Sequence, residues 1–278
     1  MDNILYLDCT CGISGDMFVA SLLDLGADRE VMQKALDSLL VHGFEVKISR
    51  VEKSGRNACD FCVVLDEKHE NHDHDMQYLH GKAEGHSHKE AAHHDHECRG
   101  IIEINEIIEK AHMTPGARAL AKKIFSILAE AEAKAHKVPV EKVHFHEVGA
   151  VDSIADIVAA AVCFDNLGIN KTIIPQICDG TGTIRCRHGL LPVPVPAVKN
   201  IDLAHKLNLH ITDVEGELVT PTGAAIAAAI RTDEQLPDHF TIRRTGLGAG
   251  KRTYKCPGIL RAVFITEDET AFISQLPG

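Results

Sequence analysis

A mixed α/β fold (α+β-like), with sheets of mixed strands packed against helices, is what this chain's pattern predicts. Three observations carry that expectation. The chain opens as strand, helix, helix and hairpin. No regular strand–helix–strand repetition of the kind a doubly wound parallel sheet needs follows. A hydrophobic content of 45% and a charged content of 25% are those of an ordinary globular protein. At 278 residues the chain can bury a core as one large region, 1–278, or as two lobes divided near residue 140.

Taken in order, Ile4–Asp8 has a strand pattern, followed by the glycine-punctuated loop Cys9-Thr-Cys-Gly-Ile-Ser-Gly-Asp16 and a helix over Met17–Gly26 that closes on glycine. Strand, glycine loop and helix in succession aim backbone N–H groups at an anion. The spacing is neither that of a Walker loop nor that of a dinucleotide fingerprint. Ser14 and Asp16 occupy the positions of a helix cap. A helix over Arg29–Leu40 is followed by strands Phe44–Glu52 and Asn57–Leu65, joined by a turn at Ser54-Gly55-Arg56. Cys59 and Cys62 on the second strand point to opposite faces, as buried thiols rather than zinc ligands.

Residues 67–98 differ in composition. Nine histidines (69, 72, 74, 80, 86, 88, 93, 94 and 96) lie among acids with little apolar material, which predicts a flexible, disordered loop. Imidazole at that density collects late first-row metals, so His72, His74, His93, His94 and His96 are candidate metal ligands. Helices are expected at Ile101–Ala111 and Gly116–His136, the second with Leu120, Ile124, Leu128, Ala131 and Ala135 on one face. Glu130 and Lys134 form an i,i+4 pair on the other.

The central stretch runs from Val143 to Ile157. His144 and His146 alternate with Val143 and Phe145, so a short strand places both rings on one face. Glu147 follows. Ser153 and Asp156 have the spacing of an N-cap and capping box ahead of an apolar helix. Two imidazoles and three carboxylates (Glu147, Asp152, Asp156) at a helix start can hold a divalent metal or move protons. Downstream, strands at Thr172–Ile177 and Thr183–Arg187 flank Asp179-Gly-Thr-Gly182. His188, a candidate ligand or general acid, precedes the extended Pro192-Val-Pro-Val-Pro196. Thr220 as N-cap and Pro221 at N1 start a small-residue helix over Thr222–Ile230, and its hydroxyls and N–H groups form a cradle for phosphate or carboxylate. Phe240–Arg244, a glycine turn at Gly246-Leu-Gly-Ala-Gly250, and Ile259–Thr266 close the pattern.

The net charge of −11 without a basic cluster disfavours nucleic acid and anionic membranes as partners. The apolar runs fall short of the ~18 residues a membrane span needs. Nine cysteines at irregular spacing suit a reducing cytoplasm, and Met1-Asp2-Asn3 lacks the basic start of a secretory signal.

Several of these segments together resemble one family. Tyr6-Leu-Asp-Cys9 with Gly12-Ile-Ser-Gly-Asp-Met17, Ala129-Glu-Ala-Glu-Ala133, His144-Phe-His-Glu-Val-Gly-Ala-Val-Asp-Ser-Ile154, His188-Gly189, Pro192-Val-Pro-Val-Pro196, Glu217-Leu218 and Thr220-Pro-Thr-Gly-Ala-Ala225 are similar to the LarC nickel insertion family. The histidine-rich insertion fits as well. The resemblance implies a cytoplasmic enzyme that inserts Ni²⁺ into pyridinium-3,5-bisthiocarboxylic acid mononucleotide, forming nickel–sulfur and nickel–carbon bonds with CTP hydrolysis. The product is the nickel-pincer cofactor of lactate racemase. CTP with Mg²⁺ or Mn²⁺ is attributed in that family to a separate C-terminal domain. Lactate racemase apoprotein, upstream cofactor-synthesis enzymes and a second copy of the chain are the implied partners. One departure is Gly258, where the family pattern favours Asn.

Such chemistry needs a metal holder, a base for the C–H proton lost on metallation, and an anion cradle. His144, His146 and His188, with the loop histidines, are the candidates for the first. Glu147, Asp152 and Asp16 are candidates for the second, and Ser14, Gly15, Thr220, Thr222 and Gly223 for the third. Two rival readings are a nickel storage or delivery protein without chemistry and a metal-dependent phosphohydrolase.

Overall fold

The computed structural model describes residues 3–66, 76–80, 99–145, 151–186 and 189–267. Its elements in order are β1 (Asn3–Asp8), α1 (Gly15–Leu25), α2 (Arg29–Asp37), β2 (Phe44–Lys53), β3 (Arg56–Leu65), α3 (Met76–His80), β4 (Arg99–Gly100), α4 (Ile101–Lys110), α5 (Pro115–His136), β5 (His144–Phe145) and α6 (Val151–Asn166). They continue as β6 (Ile169–Ile173), β7 (Ile177–Thr181), β8 (Thr183–Cys186), β9 (Gly189–Pro192), α7 (Pro196–His205), β10 (Leu209–Glu215), α8 (Pro221–Ile230), β11 (Phe240–Ala249) and β12 (Ile259–Glu267). The expected mixed α/β class is the one observed.

A six-stranded sheet in the order β2-β3-β11-β12-β1-β6 organises the molecule. Its pairs are antiparallel for β2/β3, β11/β12 and β1/β12, and parallel for β3/β11 and β1/β6. Strand period 2 divides β1 between the two faces. Leu5 and Leu7 enter the main core with the helices, while Ile4 joins Ile173, Val263 and Ile265 in a smaller cluster on the opposite face. The main core runs through α1, α5, α6 and α8, whose small residues (Ala159, Ala160, Ala161, Ala224, Ala225) let the helices pack closely.

Local signals explain the element ends. Gly26 stops α1 in the left-handed region (φ 111°). Asp28 caps α2 by accepting hydrogen bonds from the N–H groups of Glu30 and Val31. Thr114-Pro115 and Thr220-Pro221 start α5 and α8, each with the Thr hydroxyl as cap and Pro at the first helical position. The β2–β3 hairpin turns through Ser54 and Gly55, both at positive φ.

Three expectations are corrected. The glycine run 246–250 is not a turn, because Gly246 and Gly248 lie inside β11. A Cβ on Gly248 would meet the Met17 carbonyl oxygen at 2.0 Å, and one on Gly246 the Ser21 carbonyl oxygen at 2.2 Å. Their role is to let α1 lie against the strand. Asp179 and Gly180 are in strand β7 rather than a loop, since β10 pairs alongside in parallel. Helix α6 starts at Val151, so Ser153 lies inside it and is not its cap. On α5 an i,i+4 contact joins Glu132 and His136, at 3.5 Å.

The histidine-rich stretch falls mostly outside the described residues. Within it, Met76–His80 is a helix whose Leu79 is 3% exposed and joins the main core, so this part is ordered rather than a solvated loop. No helix among the described residues is long and apolar enough to cross a membrane.

Substituting Gly248→Ala should destabilise the fold by about 3 kcal/mol, because the added methyl meets backbone rather than a movable side chain. Urea denaturation measures this, and an unchanged midpoint would contradict the packing role.

Candidate functional site

The loop before α1 and the loop before α8 are stitched together by their backbones. Ile13 N–H donates to Leu218 O (3.0 Å), and Thr220 N–H returns a bond to Ile13 O (3.1 Å). Gly12, at φ +83°, sits where a Cβ would stand 2.1 Å from Leu218 O. Only glycine meets both the conformation and the approach. Beneath this seam lies Asp179, 0% exposed. Its Oδ1 accepts the N–H groups of Gly180 (2.8 Å), Leu218 (2.9 Å) and Val219 (3.1 Å). Burial outweighs these bonds and raises its pKa to about 6. The sequence pattern gave no signal for Asp179, because its partners are backbone groups distant along the chain.

The start of α6 completes the junction. A Cβ on Gly15 would stand 2.6 Å from Asp156 Oδ2 and 3.1 Å from Thr222 Cγ2, so this glycine marks where α1, α6 and α8 meet. Gly223 plays the matching part on α8, where a Cβ would lie 2.2 Å from Ile13 O.

A cavity of about 280 Å³ opens at this meeting point, close to the ~300 Å³ lower bound of ordinary small-molecule sites. Ser14, Gly15, Asp16, Asp152, Thr220 and Thr222 all line it. Six of the residues selected from sequence are therefore brought together from three distant junctions. Gly223 is not on the lining, and its N–H donates to Thr220 Oγ1 (3.1 Å), which closes the cap. His144 lies in β5, which pairs antiparallel with β4. His146, Glu147, His188, His72, His74, His93, His94 and His96 lie outside the described residues. Among the described residues, no group of three or more His, Cys, Asp and Glu side chains is placed to hold a metal ion.

The electrostatics are dominated by carboxylates. Asp16 is 8% exposed. Its Oδ1 accepts from Ser14 Oγ and from Met17 N–H (2.8 Å), and its Oδ2 is buried with no partner among the described residues. The Ser14 hydroxyl is thus engaged with Asp16 instead of capping α1. Burial pushes the Asp156 carboxyl well above the usual range, the charges of Asp16 and Asp152 push it further, and Lys251 opposes them. Asp156 was expected both as a capping-box partner of Ser153 and as one of three carboxylates at the helix start. The first expectation fails because Ser153 lies inside α6, and the second matches its place beside Asp16 and Asp152. Its spacing of four from Asp152 was the available signal, since like charges at i,i+4 repel unless a site holds them together.

Cations balance the far wall. Lys251 pairs with Asp60, and Arg252 pairs with Glu217, which is 6% exposed. Arg185 from β8 also lines the cavity. Tyr254 packs on Gly216, where a Cβ would meet its ring at 2.1 Å, and its hydroxyl lies 3.1 Å from His80 Nε2. Helix α3 is thereby anchored beside the cavity, with Leu79 in its wall. Chemically, the arrangement offers a proton-holding carboxyl, a buried carboxylate oxygen able to accept a proton or a donor, and the N-termini of α1 and α8 beside the cavity.

A mixed α/β protein with clustered carboxylates and the starts of three helices around a cavity is the class that this fold and site define. The comparisons with known proteins narrow it. A family model described as nickel insertion protein matches residues 5–275, and the chain belongs to that family, the LarC family. Proteins named pyridinium-3,5-bisthiocarboxylic acid mononucleotide nickel insertion protein are among its relatives. That of Alkaliphilus metalliredigens is 53% identical over 96% of this chain and 61% of its own length. That of Acetivibrio thermocellus is 39% identical over 90% and 57%, and that of Clostridium acetobutylicum 39% identical over 96% and 65%. The chain spans about three fifths of the length of these relatives. No solved structure matches it.

The raised Asp156 gives a signed prediction. A carboxyl whose folded pKa exceeds its unfolded value binds more protons folded than unfolded, so stability falls as pH rises from the ordinary carboxylate value through the raised one. Asp156→Asn removes that loss. Its melting temperature relative to wild type should climb between pH 4 and pH 8, and a difference independent of pH would contradict the assignment.

Proposed function

We propose that this chain carries the metallation cavity of an enzyme that inserts Ni²⁺ into pyridinium-3,5-bisthiocarboxylic acid mononucleotide. The observation that supports this reading most is the convergence of Ser14, Asp16, Asp152, Thr220 and Thr222 on one cavity. The substrate carries a phosphate, two sulfur donors and a ring C–H whose proton must leave. Helix starts α1 and α8, with Thr222 and the cations of the far wall, suit the phosphate. The carboxylate cluster suits the proton, with Asp16 or Asp152 as acceptor and Glu147 as a further base close in sequence. Two sulfur atoms from the substrate would complete the coordination of a soft-leaning divalent cargo, so the protein need supply few permanent ligands.

Chain connectivity favours the histidines as suppliers of that cargo. His188 is two residues beyond Cys186, which lines the cavity. His146 and Glu147 fall between β5 and α6, whose Asp152 lines it too. His72 and His74 lie within four residues of α3, which forms part of the cavity wall, and His93, His94 and His96 lie shortly before β4, the partner of β5. In this reading the histidine-rich stretch gathers Ni²⁺ and passes it to His144 and His146. CTP with Mg²⁺ or Mn²⁺ acts through a separate C-terminal domain. A second copy of the chain, lactate racemase apoprotein and the enzymes that make the substrate are the partners it calls for, in the cytoplasm.

The test is metallation of the dithiocarboxylate nucleotide by the purified chain with Ni²⁺, with and without the C-terminal domain and CTP, followed by the nickel–sulfur absorption of the product. Replacing His144 and His146 together with Ala should abolish product while leaving the melting curve unchanged. Asp16→Asn should slow formation by about 10²-fold or more, the usual worth of a positioned base. Undiminished metallation by the double His variant or by Asp16→Asn would overturn the corresponding role.

A further inference from the structure

Behind Asp16 a second, smaller void of about 60 Å³ is lined by Cys11, Met17, Leu218, Tyr254 and Cys256, among others. The metallation reading makes no use of its two cysteines. They come from opposite ends of the chain, and both are partly accessible. β1 pairs with β12 as far as Asp8 and Arg261, so the chain leaving β1 at Cys11 runs beside the chain approaching β12 at Cys256, and the two side chains share the void. The backbone of Gly258 and Ile259 lies close to the two cysteine side chains. Gly258 holds φ +61°, the left-handed region in which Asn is the next best residue. This accounts for glycine where the family favours Asn. The charged groups around the pair are Lys53, Lys251, Arg252, Asp16 and Glu217, with Asp8 acting on Cys11.

We propose that Cys11 and Cys256 form a peroxide-reactive dithiol, with Cys256 as the attacking sulfur and Cys11 as the resolving one, and that they close reversibly to a disulfide. The two side chains face one small void from adjoining stretches of chain, so bond formation asks for little movement. Donors to Cys256 stabilise its thiolate. Led by the neighbouring Cys11 side chain, they outweigh burial and bring its pKa down to about 6, while Cys11 is pushed up and keeps its proton.

The chemistry balances. The Cys256 thiolate attacks one oxygen of hydrogen peroxide and the O–O bond breaks, leaving a sulfenic acid and hydroxide, which takes a proton to become water. The Cys11 sulfur then attacks the Cys256 sulfur, the S–O bond breaks, and the departing hydroxide leaves as water with the Cys11 proton. Counting the proton Cys256 had already released, two thiols lose two electrons and two protons and the peroxide becomes two waters. A dithiol reductant reverses the change by exchange. The bond would tie the loop carrying Cys9–Gly12 to the entry of β12, immediately beside Ser14 and Asp16.

The experiment treats the full reduced chain, stripped of metal with a chelator, with increasing hydrogen peroxide, then alkylates it and maps peptides by mass spectrometry. The expected first product is the Cys11–Cys256 cross-linked peptide, with a faster-migrating band on non-reducing gels that dithiothreitol removes. If both cysteines remain alkylatable at a dose that oxidises other thiols, or if either pairs first with a different cysteine, the proposal fails. In Cys11→Ser, dimedone should label Cys256. Labelling of Cys11 in Cys256→Ser to the same extent would overturn the assigned roles. The wild-type mapping decides the matter even if a variant fails to fold. Iodoacetamide labelling of Cys256 should also hold its rate from pH 8 down to about 6. An ordinary thiol loses about tenfold per pH unit there, and the same loss at Cys256 would count against it.

Discussion

Three helix starts approach each other so closely at one corner of this molecule that only glycine fits between them, and the site depends on that approach. Gly12 and Gly223 let the loop before α1 lie against the loop and helix start of α8. Gly15 lets α1 meet Asp156 of α6 and Thr222 of α8. Each contact brings polar groups with it, because helix starts carry N–H groups, caps and a positive end. The six-stranded sheet serves the same arrangement. Its Gly246 and Gly248 seat α1 at the depth at which Asp16 reaches the cavity. Asp179 fixes the other side by holding the N–H groups of Leu218 and Val219.

Burying carboxylates together works against stability, and the molecule offsets only part of that cost. Asp60 and Glu217 have cationic partners in Lys251 and Arg252. Asp16 satisfies one oxygen and leaves the other without a partner among the described residues. Asp156 responds by retaining its proton. An unsatisfied buried acceptor costs about 1–3 kcal/mol, and an apolar core residue would avoid the penalty. Placement of such groups around a cavity is the pattern of acid–base sites, where shifted protonation serves the chemistry. Lys251 lies near enough to Asp156 to oppose its raised pKa, and Arg185 and Arg252 add positive charge to the same lining.

Much of this corner was legible in the sequence, for reasons that can be named. Thr220-Pro221 announces its helix because cap and N1 preferences are local, and Gly26 ends α1 for the same reason. The Ser54-Gly55 hairpin follows from turn chemistry. Ser14, Asp16, Asp152, Thr220 and Thr222, which line the cavity, stood out in the sequence as polar residues at helix starts beside glycines. What escaped depended on partners distant along the chain. Asp156 was legible as one of the acids at the start of α6, but its place against Gly15 of α1 was not. The glycines of β11 imitate a turn until the helix they accommodate is in view, and Asp179 looks like part of a loop until β10 pairs with β7. Leu79 shows the same limit from the other side, since histidine-rich composition hid a short helix that contributes to the core.

The central claim, that Asp16, Asp152 and Asp156 share one partly buried electrostatic environment, is tested most directly by NMR titration of the protein labelled with ¹³C at the aspartate side-chain carboxyls. The account predicts that the Asp156 resonance titrates well above the ordinary aspartate value of about 3.9, with a curve that shifts toward lower pH in Asp16→Asn. Titration of Asp156 near the ordinary value, unmoved by that substitution, would mean that the carboxylates do not sense one another and that the corner is a packing junction only.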